Sequence, residues 1–298
     1  MRSPAIVLSL AALLAAGAPA SAAPGPTPAA SAAAPGPTPA APAPTPAAPA
    51  AGWCAPALIS LPGDVCASLP AREAPGPRVL VIFLHGVVQP DSGWQWAQQR
   101  GAARTGARRG VAVLMPRGRR GIGPRAASRS ASSMEDWWCW PTSAAAQAAH
   151  EDALLAEWDA ARAELERRAG GRFERVLVFG FSNGAYYATS LAMRGRLQVD
   201  GYAAFAGGSG ARHLERSGAQ TRLRVPVFVG WGGKDPAHKD QVALAGMLRR
   251  LKWPSKSLGK PRAGHAMTDD QVDEALDFLI GGRGGARKPG GGRGARGR

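Results

Sequence analysis

The feature that most constrains how this chain can fold is a junction. Residues 175–179 (RVLVF) are a short apolar run, and they pass directly into Gly180-Phe181-Ser182-Asn183-Gly184. From Asn183 to Arg194 the chain reads as a helix. A strand buried on both faces is a continuous apolar run of this kind. A helix that opens within a few residues of its end demands a sharp turn, with glycines where a β-carbon would collide with neighbouring elements. Such a turn lifts one side chain, here Ser182, to the end of a sheet.

The same alternation extends through the middle of the chain. Residues 78–84 (RVLVIFL), 111–115 (VAVLM), 202–205 and 226–230 (PVFVG) read as further strands. Helices are expected over 93–109, over 144–168 with Thr142 or Ser143 as cap and Gly170-Gly171 as stop, and over 183–194, 239–251 and 268–279. Strands alternating with helices predict an α/β fold, a mostly parallel central sheet with helices on both faces. Sites in such sheets lie at the C-terminal ends of the strands.

A serine hydroxyl is a weak nucleophile at neutral pH unless a base takes its proton and a carboxylate holds that base in the right tautomer. Among the five histidines, His265 stands in the loop before the last helix. Asp235, in Gly232-Gly233-Lys234-Asp235-Pro236, follows the strand at 226–230. Ser182, Asp235 and His265 are therefore the candidate catalytic residues, in the chain order Ser, Asp, His. Asp200 precedes a strand and belongs at the opposite end of the sheet, and Asp240 is already helical. Oxyanion donors are expected from the backbone N–H of Asn183, at a helix N-terminus, and of Val87, in the turn after the first long strand. His85 in that turn is read as structural. The sequence has no His-x-x-x-His pair and no cysteine cluster, so neither a metal nor a cofactor is expected.

Composition separates the ends from the middle. The chain of 298 residues carries 37 Lys and Arg against 21 Asp and Glu, a net charge of +16, with 39 Gly and 26 Pro. Residues 1–22 place Arg2 before a short apolar stretch and end Ala20-Ser21-Ala22, the order of a secretory signal peptide. Residues 23–52 are a Pro/Ala-rich linker, and 281–298 are a Gly/Arg tail with six cations and no acid. Neither end can bury enough apolar surface to order itself. The folded domain is then 53–280, secreted to the periplasm or beyond, without a membrane-spanning segment. Three cysteines in an exported chain allow one disulfide: Cys54 with Cys66, or Cys139 with either.

With Leu84-His85-Gly86, the turn around Ser182, Asp235 after a late strand and His265 before the last helix, the sequence resembles the α/β-hydrolase superfamily. It looks most like small secreted bacterial esterases of the feruloyl-esterase-like and polyhydroxybutyrate-depolymerase-like kind. The resemblance implies a sheet of about eight strands and hydrolysis of a small-molecule or polymeric ester through an acyl-enzyme. About twenty residues separate the strands at 205 and 226, too few for a cap domain. The expected cover follows Met115. From 100 to 129 the chain has nine arginines and no acid, and then Trp137, Trp138 and Trp140. Arg117 and Trp137 are the substrate-binding candidates there, against a simpler reading as a solvated loop anchored by tryptophans. A peptidase or thioesterase of the same fold is one alternative. A noncatalytic envelope protein that contacts anionic surfaces through its tail is the other.

Overall fold

The structure, a computed structural model, describes residues 52–124 and 133–281. The expected signal peptide, the linker up to residue 51, the tail beyond Gly281, and Arg125 and Arg129 lie outside the described residues.

The apolar runs form strands and the segments between them form helices. In chain order these are β1 (Ile59–Leu61), β2 (Val65–Ser68), β3 (Val79–Leu84), α1 (Trp94–Arg109), β4 (Ala112–Met115), α2 (Ala144–Arg168), β5 (Arg175–Phe181), α3 (Asn183–Arg194), β6 (Gly201–Phe205), α4 (Arg212–Gln220), β7 (Val227–Gly232), α5 (His238–Arg250), β8 (Ser255–Lys260) and α6 (Asp269–Gly281). One eight-stranded sheet has the order β1-β2-β4-β3-β5-β6-β7-β8. It is parallel from β4 to β8, and β1 and β2 form an antiparallel edge.

Each face of the sheet has its own core. Leu154, Trp158, Leu165, Leu191, Leu214, Leu244 and Met247, from α2 to α5, cover one face. Ala102 of α1 and Val272, Leu276 and Leu279 of α6 cover the other. Along α2 the buried residues recur on one stripe, Ser143 Oγ caps the start by accepting from Ala146 N–H at 3.2 Å, and Gly170-Gly171 follows its end. Burying each large apolar side chain of that stripe contributes roughly 1.5–3 kcal/mol. Across the other face, Arg108 pairs with Asp273 at 2.6 Å and Arg109 pairs with Asp277, tying α1 to α6. These arginines, from the run at 100–129, serve the fold.

Four elements went unread in the sequence for physical reasons. β8 (SKSLGK) is an edge strand with no fully buried residue, so it lacks an apolar signature. α4 has nine residues, of which Leu214 and Gly218 are buried. β1 and β2 are very short, and Cys66 of β2 forms its disulfide with Cys54, leaving Cys139 free and buried. Between β6 and β7 the chain holds only α4, so no cap domain is inserted at that connection, and none stands over the sheet among the described residues. Among the described residues no helix is long and apolar enough to cross a membrane.

Register sets where the loops emerge. Leu84 pairs with Gly180 and Phe181 with Phe205, so the turns after β3, β5 and β6 leave the sheet at one level. Gly232 pairs with Lys260, which lays the loops after β7 and β8 side by side.

Candidate active site

Ser182 sits between β5 and α3 with φ 53° and ψ −118°, a backbone conformation that L-residues avoid. Such strain costs on the order of 1–3 kcal/mol and persists only where the surroundings enforce it. Here they do. Ser182 N–H donates to Phe205 O at 2.9 Å, and α3 packs so closely on the end of β3 that a β-carbon at Gly184 would overlap Leu84 O and His85 O. A β-carbon at Gly180 would overlap the Gly184 carbonyl in turn. The two glycines of the motif are steric requirements of the turn.

The loops after β7 and β8 bring in the other two residues. Gly233 N–H donates to Lys260 O at 3.0 Å and Lys234 N–H to Ala263 O at 2.9 Å, so the β7–β8 pairing continues into the loops. His265 Nδ1–H donates to Asp235 Oδ1 at 2.9 Å, and Ser182 Oγ–H donates to His265 Nε2 at 2.9 Å. The Asp235 side chain is fully buried while His265 keeps 27% exposure, so the base meets solvent and the carboxylate does not. Burial pushes the Asp235 carboxyl up, but hydrogen bonds from His265, Ala237 N–H and Gln241 outweigh it, and the net direction is below the ordinary carboxylate range. Asp235 is therefore an anion beside His265. Asp200 lies at the other end of the sheet, where its carboxylate accepts from Val176 N–H at 2.9 Å and Arg175 at 3.1 Å.

The turn after β3 offers one free donor. Gly86 N–H donates to Gln98 Oε1 at 2.8 Å and Val88 N–H to Trp138 O at 3.1 Å. Val87 N–H is what the turn leaves over among the described hydrogen bonds. Asn183 N–H, first in α3, has no intrahelical acceptor. The Asn183 side chain is occupied, because its Oδ1 accepts from Trp140 N–H at 2.7 Å.

His85 is buried and structural in its contacts. Its Nε2 accepts from Gly118 N–H at 3.1 Å, and its Nδ1–H donates to Gly86 O at 2.5 Å. The ring lies between Trp53 and Trp140, with centroids 5.4 and 4.8 Å away. Trp140 in turn donates Nε1–H to His85 O at 2.8 Å and is wholly buried against Trp158 and Tyr187. Trp140 thus ties the β3 turn to the start of α3.

The arginine and tryptophan segment splits in the same way. Arg117 is ion-paired with Asp64, and its guanidinium stacks 4.3 Å from the Trp138 ring and 5.8 Å from that of Trp53. Arg119 pairs with Glu157 at 2.5 Å, and Arg120 donates to Asp136 O at 2.9 Å. Trp137 is half-buried, and its N–H closes a turn on Met134 O. The segment borders the β3 turn through the Val88–Trp138 bridge. The thiol of Cys139 is pushed up to about 11 by burial, which suits an inert side chain.

Sequence reasoning missed Gln98, Gln241 and the anchoring role of Trp140. A glutamine on a helix carries no signal that separates a buried brace from a solvated position. The cluster Trp137-Trp138-Cys139-Trp140 was conspicuous, but nothing in it says which indole goes inward.

A model of the Dienelactone hydrolase family matches residues 93–274. Among solved structures, a carboxylesterase from Mesorhizobium loti superposes with a TM-score of 0.52 at 18% identity, covering 75% of this chain and 99% of that one. The structure of esterase PE8 superposes with a TM-score of 0.50, also at 18% identity and covering 75% and 99% of the two chains. At that identity the likeness is one of fold, and the fold is that of the α/β hydrolases. No curated protein matches the chain.

Proposed function

The chain belongs to the dienelactone hydrolase family, and from that premise we propose that it is a secreted serine hydrolase of carboxylic esters. The observation that carries this reading is the unbroken line of hydrogen bonds Ser182 Oγ, His265 Nε2, His265 Nδ1, Asp235 Oδ1 on a strained turn. In it, Ser182 Oγ attacks the ester carbonyl carbon as His265 Nε2 takes the hydroxyl proton. Asp235 stays ionised and stabilises the imidazolium. The carbonyl oxygen, now an oxyanion, accepts from Asn183 N–H and Val87 N–H. Collapse breaks the bond to the alcohol oxygen, which leaves with the proton from His265 Nε2. A water activated by the same nitrogen then hydrolyses the acyl-enzyme and restores Ser182.

Arg117, held by Asp64 and the indoles of Trp53 and Trp138, and the half-buried Trp137 are the substrate-binding residues in this reading, on the segment that borders the β3 turn. Export through residues 1–22 is part of the proposal, and the Cys54–Cys66 disulfide supports an oxidising compartment. The cationic tail gives loose contact with anionic surfaces.

The test is a panel of p-nitrophenyl esters, matched thioesters and anilides, with Ser182→Ala as control. Ester turnover at least about tenfold above thioester and anilide turnover is expected, dependent on Ser182. Preference for a thioester or anilide would replace the ester reading by one of the alternatives within the fold.

A further inference from the structure

Asp235 presents two oxygens, and the reading above uses one of them. Oδ1 faces His265 and also accepts from Ala237 N–H at 2.8 Å. Oδ2 is held by a neutral side chain, Gln241 Nε2, at 2.9 Å. Gln241 has no solvent exposure. Its own Oε1 is buried and has no hydrogen-bond partner among the described residues. The amide is therefore arranged for the carboxylate at the expense of its acceptor. Flipping it would set Oε1 against Oδ2, two acceptors facing each other in a dry site.

The surroundings leave Gln241 little substitute. The groups near Asp235 are His265 from the loop before α6, His238 at the start of α5, Asp240 beside Gln241 on that helix, and Tyr186 on α3. His238 rests against Trp231 with ring centroids 4.9 Å apart, and its Nδ1 is buried without a partner. The Asp240 carboxylate accepts from Tyr186 O–H at 2.5 Å. Among the described hydrogen bonds, Gln241 is the donor to Oδ2.

We propose that Gln241 is a positioning residue of the triad: it fixes the Asp235 carboxylate in its plane and keeps it ionised, and so keeps His265 in the tautomer that leaves Nε2 free for Ser182. Without that donor the carboxylate either turns away from Nδ1 or takes up a proton. A protonated Asp235 donates to Nδ1 instead of accepting from it, which moves the imidazole proton to the nitrogen that Ser182 needs.

This inference rests on the triad reading, and the experiment separates the two. Steady-state hydrolysis of p-nitrophenyl acetate is measured from about pH 5.5 to 8.5 for wild type, Ser182→Ala, Gln241→Leu and Gln241→Glu, with folding checked by circular dichroism. Gln241→Leu is expected to lose about 10²-fold in kcat with KM nearly unchanged, the scale of a misaligned catalytic group. Gln241→Glu supplies the readout a purely structural role would not move. Asp235, with more donors, keeps the negative charge, and the proton of the new carboxyl pair sits on residue 241 at acid pH, donating as the amide did. The ratio of variant to wild-type kcat then starts near one at the acid end and falls at least about tenfold as the pH rises and that proton is lost. If Gln241→Leu does not fold, this ratio alone decides. A ratio independent of pH overturns the proposal, as does a folded Gln241→Leu within about twofold of wild-type kcat. Wild-type turnover that does not depend on Ser182 overturns the triad reading and this inference with it. Turnover that depends on Ser182 but ignores Gln241 overturns this inference alone.

Discussion

His265→Ala should lower kcat/KM for an ester substrate by about 10⁴- to 10⁶-fold and leave the fold intact. The loss follows from geometry. His265 Nε2 is the acceptor 2.9 Å from Ser182 Oγ, and without it the hydroxyl has no base to take its proton as the carbonyl is attacked. On the proposed mechanism, what survives comes from Asn183 and Val87 N–H and from substrate binding, neither of which touches the proton transfer. Stability should change little, because His265 is partly exposed and Asp235 keeps the Ala237 N–H and the Gln241 amide. A melting temperature within a few degrees of wild type, together with the kinetic loss, is the expected pair of results. A loss below about tenfold would mean that another group does the work of the base.

The second large effect is on stability, and its origin is His85. Burial lowers its imidazole from the ordinary 6.5 to about 4, against a weaker upward pull from the bond to Gly86 O. The geometry agrees, since Nε2 must stay unprotonated to accept from Gly118 N–H. Between those two values the unfolded chain binds a proton that the folded chain refuses. The contribution of neutral His85 is therefore complete above about pH 6.5 and is lost as the pH falls toward 4. At 1.36 kcal/mol per unit the whole window amounts to about 3 kcal/mol. Urea unfolding of wild type and His85→Gln at about pH 7 and about pH 4.5 should show the gap between them shrinking by roughly 2.5 kcal/mol on acidification, whatever the other carboxylates contribute to both. A gap that stays constant would mean that His85 takes up its proton as readily in the folded chain as in the unfolded one.

The sheet was legible because its strands are buried on both faces and therefore apolar throughout, as in 78–84 and 175–179. Edges were not. β8 lies at the edge of the sheet, partly or fully exposed along its whole length, and reads as polar coil, and α4 buries too little to leave a period. The positions of Ser182, Asp235 and His265 could be read because each stands at a strand end or before a helix, where topology restricts what can meet. The parts that hold them escaped notice for the opposite reason. Gln98 and Gln241 act through single hydrogen bonds from the interior of helices, and a glutamine there looks like any solvated position. The arginines at 100–129 were read as one feature and separate into several local pairings, Arg108 and Arg109 with α6, Arg117 with Asp64 and Arg119 with Glu157. Charge counted along the chain does not show which acids fold back against it.

The central claim is that Ser182 is a nucleophile, activated where it stands, and a fluorophosphonate tests it most directly because the reagent phosphonylates a serine only when an adjacent base takes its proton. Peptide mass spectrometry of the labelled protein should find one adduct, on the peptide that carries Ser182, with no adduct in Ser182→Ala and slow labelling in His265→Ala. An unlabelled wild-type protein, or an adduct on another residue that persists in Ser182→Ala, would contradict it.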